Sequence, residues 1–316
     1  SAWGASKVKS VITDTVADFI QERGHERGHI DSQGSSAYEA PTNDPNAATA
    51  FMFFDAHAHY DDARFEVEYE GGAIAALRAS REAGVTAVVN AGVTIESSRA
   101  LAEFVRSFTG DTKVPRMYAT AGIHPSETDS YERLLDAMTE LQSLLDTGNY
   151  IAVGEIGLDY HYPNTDREKQ ISLFRAQLEL ARHFKLSAVI HDREAHGDVF
   201  NILREFPDVK CLLHCFSGSA EQARQYAKLG RYFSFGGVLT YKNAAKTREA
   251  ASVIPSDLIL LETDCPYLAP SPYRGKINYS GYMMFIAQAL CEVKGVSADE
   301  AAKLAHDNAV AFYGLS

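Results

Sequence analysis

From residue 51 onward, short apolar runs alternate with longer stretches whose apolar positions recur every three or four residues. The short runs read as strands: 51–56 (FMFFDA), 85–90 (VTAVVN), 115–121, 150–154 (YIAVG), 187–191 (SAVIH), 210–214 (KCLLH), 231–235 (RYFSF) and 257–262 (DLILLE). Between them, 71–83, 95–108, 129–146, 166–185 and 218–229 carry the helical period. Strands that are nearly continuous in apolar residues and alternate with helices form a parallel sheet covered on both faces. Eight such units over about 265 residues predict an α/β fold, a (β/α)8 TIM barrel. The competing arrangement is an open doubly wound sheet. No GxGxxG follows the first strand, which removes its dinucleotide-binding version.

The first fifty residues follow another pattern. Within 6–21, Val8, Val11, Ile12, Val16, Phe19 and Ile20 fall at helical spacing and predict one short amphipathic helix. Residues 22–50 are rich in Gly, Ser, Asn, Asp and Pro and read as a loosely ordered arm, with His25 and His29 solvated. The chain therefore divides into residues 1–51, an N-terminal extension or leader, and 52–316, the barrel domain.

Composition narrows the function classes. A hydrophobic content of 46% supports a sizeable core, yet no apolar run approaches the ~20 residues that cross a bilayer. A cytoplasmic enzyme with no membrane partner is the expectation. Cys211, Cys215, Cys265 and Cys291 are too scattered for a disulfide framework and form no CxxC pair. Cys211 and Cys215 lie in an apolar run and read as buried thiols. A net charge of −12 argues against broad electrostatic gripping of duplex DNA. It leaves room for an enzyme that takes a nucleic-acid end into a small site, where bound cations supply positive charge locally. An oligomeric state is not encoded in any pattern here.

The ionisable residues gather at strand ends. The first strand runs into Asp55-Ala56-His57-Ala58-His59, the fourth into Glu155, the fifth ends in His191, the sixth in His214, and the eighth runs into Glu262-Thr263-Asp264. In a barrel these carboxyl ends converge on one face. Four histidines and two carboxylates aimed at one cavity call for cations among them, and a pair of divalent ions answers that. Residues i and i+2 of a strand share a face, so His57 and His59 can hold one ion. Glu155 can bridge two ions with its two oxygens, His191 and His214 suit the second ion, and Asp264 can serve as general base.

At these residues the chain resembles the TatD family of metal-dependent deoxyribonucleases, within the amidohydrolase-like superfamily. The matching segments are FFDAHAHYD (53–61), AGIHPSE (121–127), VGEIGLDYH (153–161), VIHDREAH (189–196), LLHCFSGS (212–219) and LETDCPYLAPSPYRGK (261–276). They occur in the family's order over about five sixths of the chain, and Met52 stands where such proteins usually begin. The resemblance implies a barrel and His57, His59, Glu155, His191, His214 and Asp264 as metal ligands, with Glu155 and Asp264 catalytic. It also implies His124 and Arg274 as phosphate contacts. Two divalent ions are implied, magnesium first and manganese or zinc as alternatives. One departure is that Ser126 follows His124-Pro125, where the family often has a second histidine.

The reading that follows is a phosphodiester hydrolase using a two-metal-activated water: a deoxyribonuclease and 3′-to-5′ exonuclease on single-stranded DNA ends. The alternative is an ester or amide hydrolase on the same scaffold, such as a deacylase that removes D-amino acids from tRNA. A binding protein on a retired barrel would show a broken ligand set, and here all six positions are filled.

Overall fold

The computed structural model describes residues 52–163 and 165–315. The expected helix at 6–21, the arm at 22–50 and His25 and His29 lie outside the described residues.

Eight strands pair in parallel in sequence order: β1 (Phe53–Ala58), β2 (Val85–Asn90), β3 (Arg116–Ala121), β4 (Ala152–Asp159), β5 (Ser187–Arg193), β6 (Cys211–Leu213), β7 (Tyr232–Phe235) and β8 (Ile259–Leu261). An isolated parallel bridge between Ala58 and Cys265 brings the end of the last strand to the first, so the sheet nearly closes into a (β/α)8 barrel. The periodicity of the chain had this architecture in it, with no trace of an open sheet.

Helices occupy the connections, and their starts are chemically marked. Thr94 and Ser97 form a reciprocal cap at the head of Ile95–Ser107, as Ser219 and Gln222 do for Ala220–Lys228. The stretch expected to be helical from 129 instead opens with a 3-10 turn, Pro125–Ser130, and becomes an α-helix at Leu134–Leu145. Proline at the first position fixes the turn there. Helices pack their apolar sides on the outer face of the sheet, burying Leu77, Leu101, Leu141, Phe174 and Ile286.

A second cluster fills the barrel itself: Phe54, Ala56, Ala87, Val89, Ala152, Val189, Leu212 and Leu260. The last helix, Ala298–Tyr313, closes the amino-terminal end, where the Tyr313 hydroxyl donates to the Ala56 carbonyl. Truncating a side chain such as Phe54 to alanine here would cost about 3–5 kcal/mol. This packed floor matters for what lies above it. Everything polar on the inner face must sit one layer higher, at the carboxyl ends. Among the described residues no helix is long and apolar enough to cross a membrane.

Candidate metal centre

Strand parity selects the residues of that upper layer. On β5, Val189 belongs to the interior cluster, so His191 and Arg193 face inward two and four positions later. By the same rule Leu212 brings His214 inward, and Leu260 brings Glu262.

β1 and β4 would fail this rule without help. Their inward residues are Ala56 and Ala152, which would leave His57 and Glu155 facing the helices. Each strand carries a register slip at that point. The pairs Asp55–Val88 and Ala58–Asn90 use three steps of β1 against two of β2. The pairs Val153–Ala188 and Ile156–Ile190 do the same on β4. One extra residue flips the side-chain alternation, and His57 and Glu155 turn into the barrel. The seam between first and last strands completes the layout, because the Asp264 N–H donates to the His57 carbonyl and the His59 N–H to the Cys265 carbonyl. Asp264 adopts a left-handed backbone (φ 54°), a conformation that aspartate tolerates better than most residues.

The result is a cavity of about 500 Å³ lined by His59, Glu155, His191, His214 and Asp264, with His124 on its wall. Glu155 is buried at its centre, and its two oxygens have different neighbours. Oε2 lies 3.3 Å from His57 Nε2 and 3.7 Å from His59 Nε2. Those two nitrogens are 3.1 Å apart and stand 3.7 and 3.4 Å from Asp264 Oδ1. Oε1 lies 2.8 Å from both His191 Nδ1 and His214 Nε2. Ligand atoms around an ion with bonds near 2.1 Å sit roughly 3.4 Å from one another in a tetrahedron. The donor atoms here are at such spacings. Three overlapping triplets could each hold an ion: His57, His214 and Asp264; His57, His59 and Glu155; His124, Glu155 and His191.

The charge balance points the same way. Burial by itself would raise the Glu155 carboxyl, but His214, His124 and His57 hold it well below the usual range. Burial likewise works against Asp264, whose carboxyl is nonetheless lowered by the hydrogen bond from His59 and the neighbouring imidazoles. Burial drives His57 down, with His214 adding to the effect, whereas His59 is pushed up to about 9 against its burial by Asp264 and Glu155. A nest of imidazoles around two ionised carboxylates is compensated by positive charge placed among them.

The third triplet is weaker on chemical grounds. His124 Nδ1 accepts the Ser126 N–H at 3.1 Å, so a neutral ring carries its proton on Nε2. That nitrogen, 3.3 Å from Glu155 Oε1, is then a donor rather than a metal ligand. Arg274 is exposed and does not line the cavity; its guanidinium rests over the Tyr241 ring at 4.6 Å.

Two carboxylates take positions to which the sequence assigned no role. Asp159 is buried and places Oδ2 3.2 Å from His191 Nε2, behind the face that meets Glu155. Glu262 is fully buried and stands behind His214. Both fall at inward positions of their strands, two or more residues from an interior apolar residue. For Glu262, two places after Leu260, that alternation was the available signal; for Asp159 the slip in β4 hides it. His161 pairs instead with Glu194 on the rim at 2.7 Å, and His196 with Asp192 at 2.9 Å. Cys211 is buried as expected and Cys215 half-buried, neither in a disulfide.

A family profile described as "TatD related DNase" matches residues 54–314. "Uncharacterized metal-dependent hydrolase YabD" of Bacillus subtilis is 33% identical over 267 residues, 84% of this chain and 100% of that one. "Uncharacterized metal-dependent hydrolase TatD" of Mycobacterium tuberculosis is 34% identical over 241 residues, 74% of this chain and 88% of that one. Among solved structures, YjjV, a TatD homolog from Escherichia coli, superposes with a TM-score of 0.75 at 28% identity, covering 84% of this chain and 98% of that one.

Proposed function

Because the chain belongs to the TatD related DNase family of metal-dependent hydrolases, we propose that it cleaves phosphodiester bonds at single-stranded DNA ends, removing nucleotides 3′ to 5′. The observation that carries this reading is Glu155, buried with one oxygen toward His57 and His59 and the other toward His191 and His214. In this reading His57, His59, Glu155, His191, His214 and Asp264 would together hold two divalent ions. Magnesium is the proposed ion, with manganese or zinc as alternatives. Bound there, such a pair supplies Lewis-acid stabilisation to the oxygens around phosphorus and makes water acidic enough to attack at neutral pH.

The protein's own groups do the rest. Asp264 accepts the proton of the attacking water, its carboxylate aimed into the cavity by the left-handed turn that follows β8. His124 donates from Nε2 to a phosphoryl oxygen, its ring fixed by the Ser126 N–H on the opposite nitrogen. The apolar floor beneath keeps bulk water from entering through the barrel.

The test is an end-labelled single-stranded oligonucleotide incubated with magnesium, with and without EDTA. Stepwise shortening that EDTA abolishes supports the proposal, and the ladder reports polarity. Absence of cleavage with magnesium, manganese and zinc defeats it. One observation favours a second reading, hydrolysis of an ester such as a D-aminoacyl-tRNA bond: Asp61, Asp62, Glu127 and Asp159 all border the cavity and repel a long polyanion. An aminoacyl-ester substrate run beside the oligonucleotide separates the two.

A further inference from the structure

The cavity's outer wall holds one group that the reaction described above does not use. Arg193 is the sole arginine or lysine lining the cavity among the described residues, against three rim carboxylates, Asp61, Asp62 and Glu127. Among the described residues no close ion pair involves it, although its charge acts on Asp159 deeper in the wall, and its guanidinium rests 5.5 Å from the centre of the Tyr162 ring. Both side chains are exposed and both line the cavity. An exposed guanidinium held on an aromatic face, with no carboxylate in close contact, can receive an anion.

Its position specifies which anion. His191 and Arg193 are i and i+2 on β5, so they point the same way, with Arg193 ~6.6 Å further out along the strand. That offset is comparable to the step from one phosphate to the next along an extended single strand. We propose that Arg193, steadied on Tyr162, grips the phosphate adjacent to the one that is cut, and so favours substrates bearing at least two consecutive phosphodiesters. This inference rests on the phosphodiester reading above. It reconciles an acidic cavity with a polyanionic substrate, since a single fixed cation marks the path that the chain of phosphates must take.

The experiment compares a thymidine dinucleotide, with one phosphodiester, and the trinucleotide, with two, on wild type, Arg193→Ala and Arg193→Lys. Loss of a guanidinium–phosphate contact should raise KM for the trinucleotide about tenfold or more while KM for the dinucleotide moves by less than about twofold. The slope of log KM against log salt for the trinucleotide should fall by about 0.7, one phosphate contact on a single strand. Arg193→Lys should recover part of both effects, and metal content should match wild type throughout. An unchanged trinucleotide KM in Arg193→Ala, or equal losses on both substrates, overturns the inference while leaving the phosphodiester reading standing. Wild type that cleaves neither substrate overturns both.

Discussion

Glu262 Oε1 stands 3.5 Å from His214 Nδ1, and both atoms are sealed from solvent with no other hydrogen-bond partner among the described residues. The Ser234 hydroxyl donates to the other oxygen of the same carboxylate. A buried carboxylate facing the outer nitrogen of a histidine holds a proton on that nitrogen, so that Nε2 is the nitrogen free to give its proton up and offer a lone pair to an ion placed beside Glu155. Glu262→Gln preserves shape and removes the charge. It should weaken metal binding about 10–100-fold, read by competition with a chelating dye. Unchanged affinity would show that Glu262 does not orient His214.

Asp264→Asn separates binding from chemistry. Asparagine tolerates the left-handed backbone at φ 54° and keeps one oxygen for an ion, but it cannot accept a proton from water. Turnover should fall by about 10²–10⁴, with elemental analysis still finding the wild-type metal content. Activity within a few fold of wild type would remove Asp264 from the role of base.

Gly157 is required by close approach. At φ 144°, a Cβ placed there would lie 2.0 Å from the carbonyl oxygen of His191 on the neighbouring strand. Gly157→Ala must push β4 and β5 apart beneath the cavity, at an expected cost of about 3 kcal/mol or more. Urea denaturation measures it, and a midpoint equal to wild type would contradict the packing described.

The His196–Asp192 pair sets a pH dependence. The hydrogen bond to Asp192 raises the His196 pKa above its ordinary 6.5, although burial and the charge of Lys246 oppose it. A raised folded-state value means that the pair's stabilisation is fully present below 6.5 and is lost as pH climbs through the folded-state value. The difference in melting temperature between wild type and His196→Gln, measured with saturating metal, should therefore shrink from about pH 5 to pH 9. A difference that is flat across that range would mean the pair does not titrate on unfolding.

The sequence was most informative where function is written along one strand. His57 and His59, or a strand ending in His191, show themselves through period-two spacing and position. The eight strands and the helices at 71–83, 95–108, 129–146, 166–185 and 218–229 followed from periodicity for the same reason, while those at His196–Leu203, Ala245–Val253, Met283–Lys294 and Ala298–Tyr313 were not read from it. β4 was underestimated, ending at 154 in the pattern but at Asp159 in the fold, because Gly154, Glu155 and Gly157 interrupt its apolar run while pairing with β5 holds it extended. The two slips that turn His57 and Glu155 inward arise from mismatched steps between neighbouring strands, which no single strand records. Asp159 and Glu262 were hidden likewise, since each takes its meaning from a histidine on another strand. Arg193 stands two places after His191, the same interval that made His57 and His59 legible, and the rule applied to one pair extends to the other.

The seam between β1 and β8 has a consequence in time. His57 lies near the beginning of the barrel and Asp264 some two hundred residues later, yet the two meet through a backbone hydrogen bond. A chain growing on the ribosome exposes its histidine pair early and lacks the opposing carboxylate until most of the protein has been made. The set of site residues is thus complete only once the last strand and the turn after it have been made. A copy cut short before Asp264 carries the histidine pair without the carboxylate that faces it across the seam.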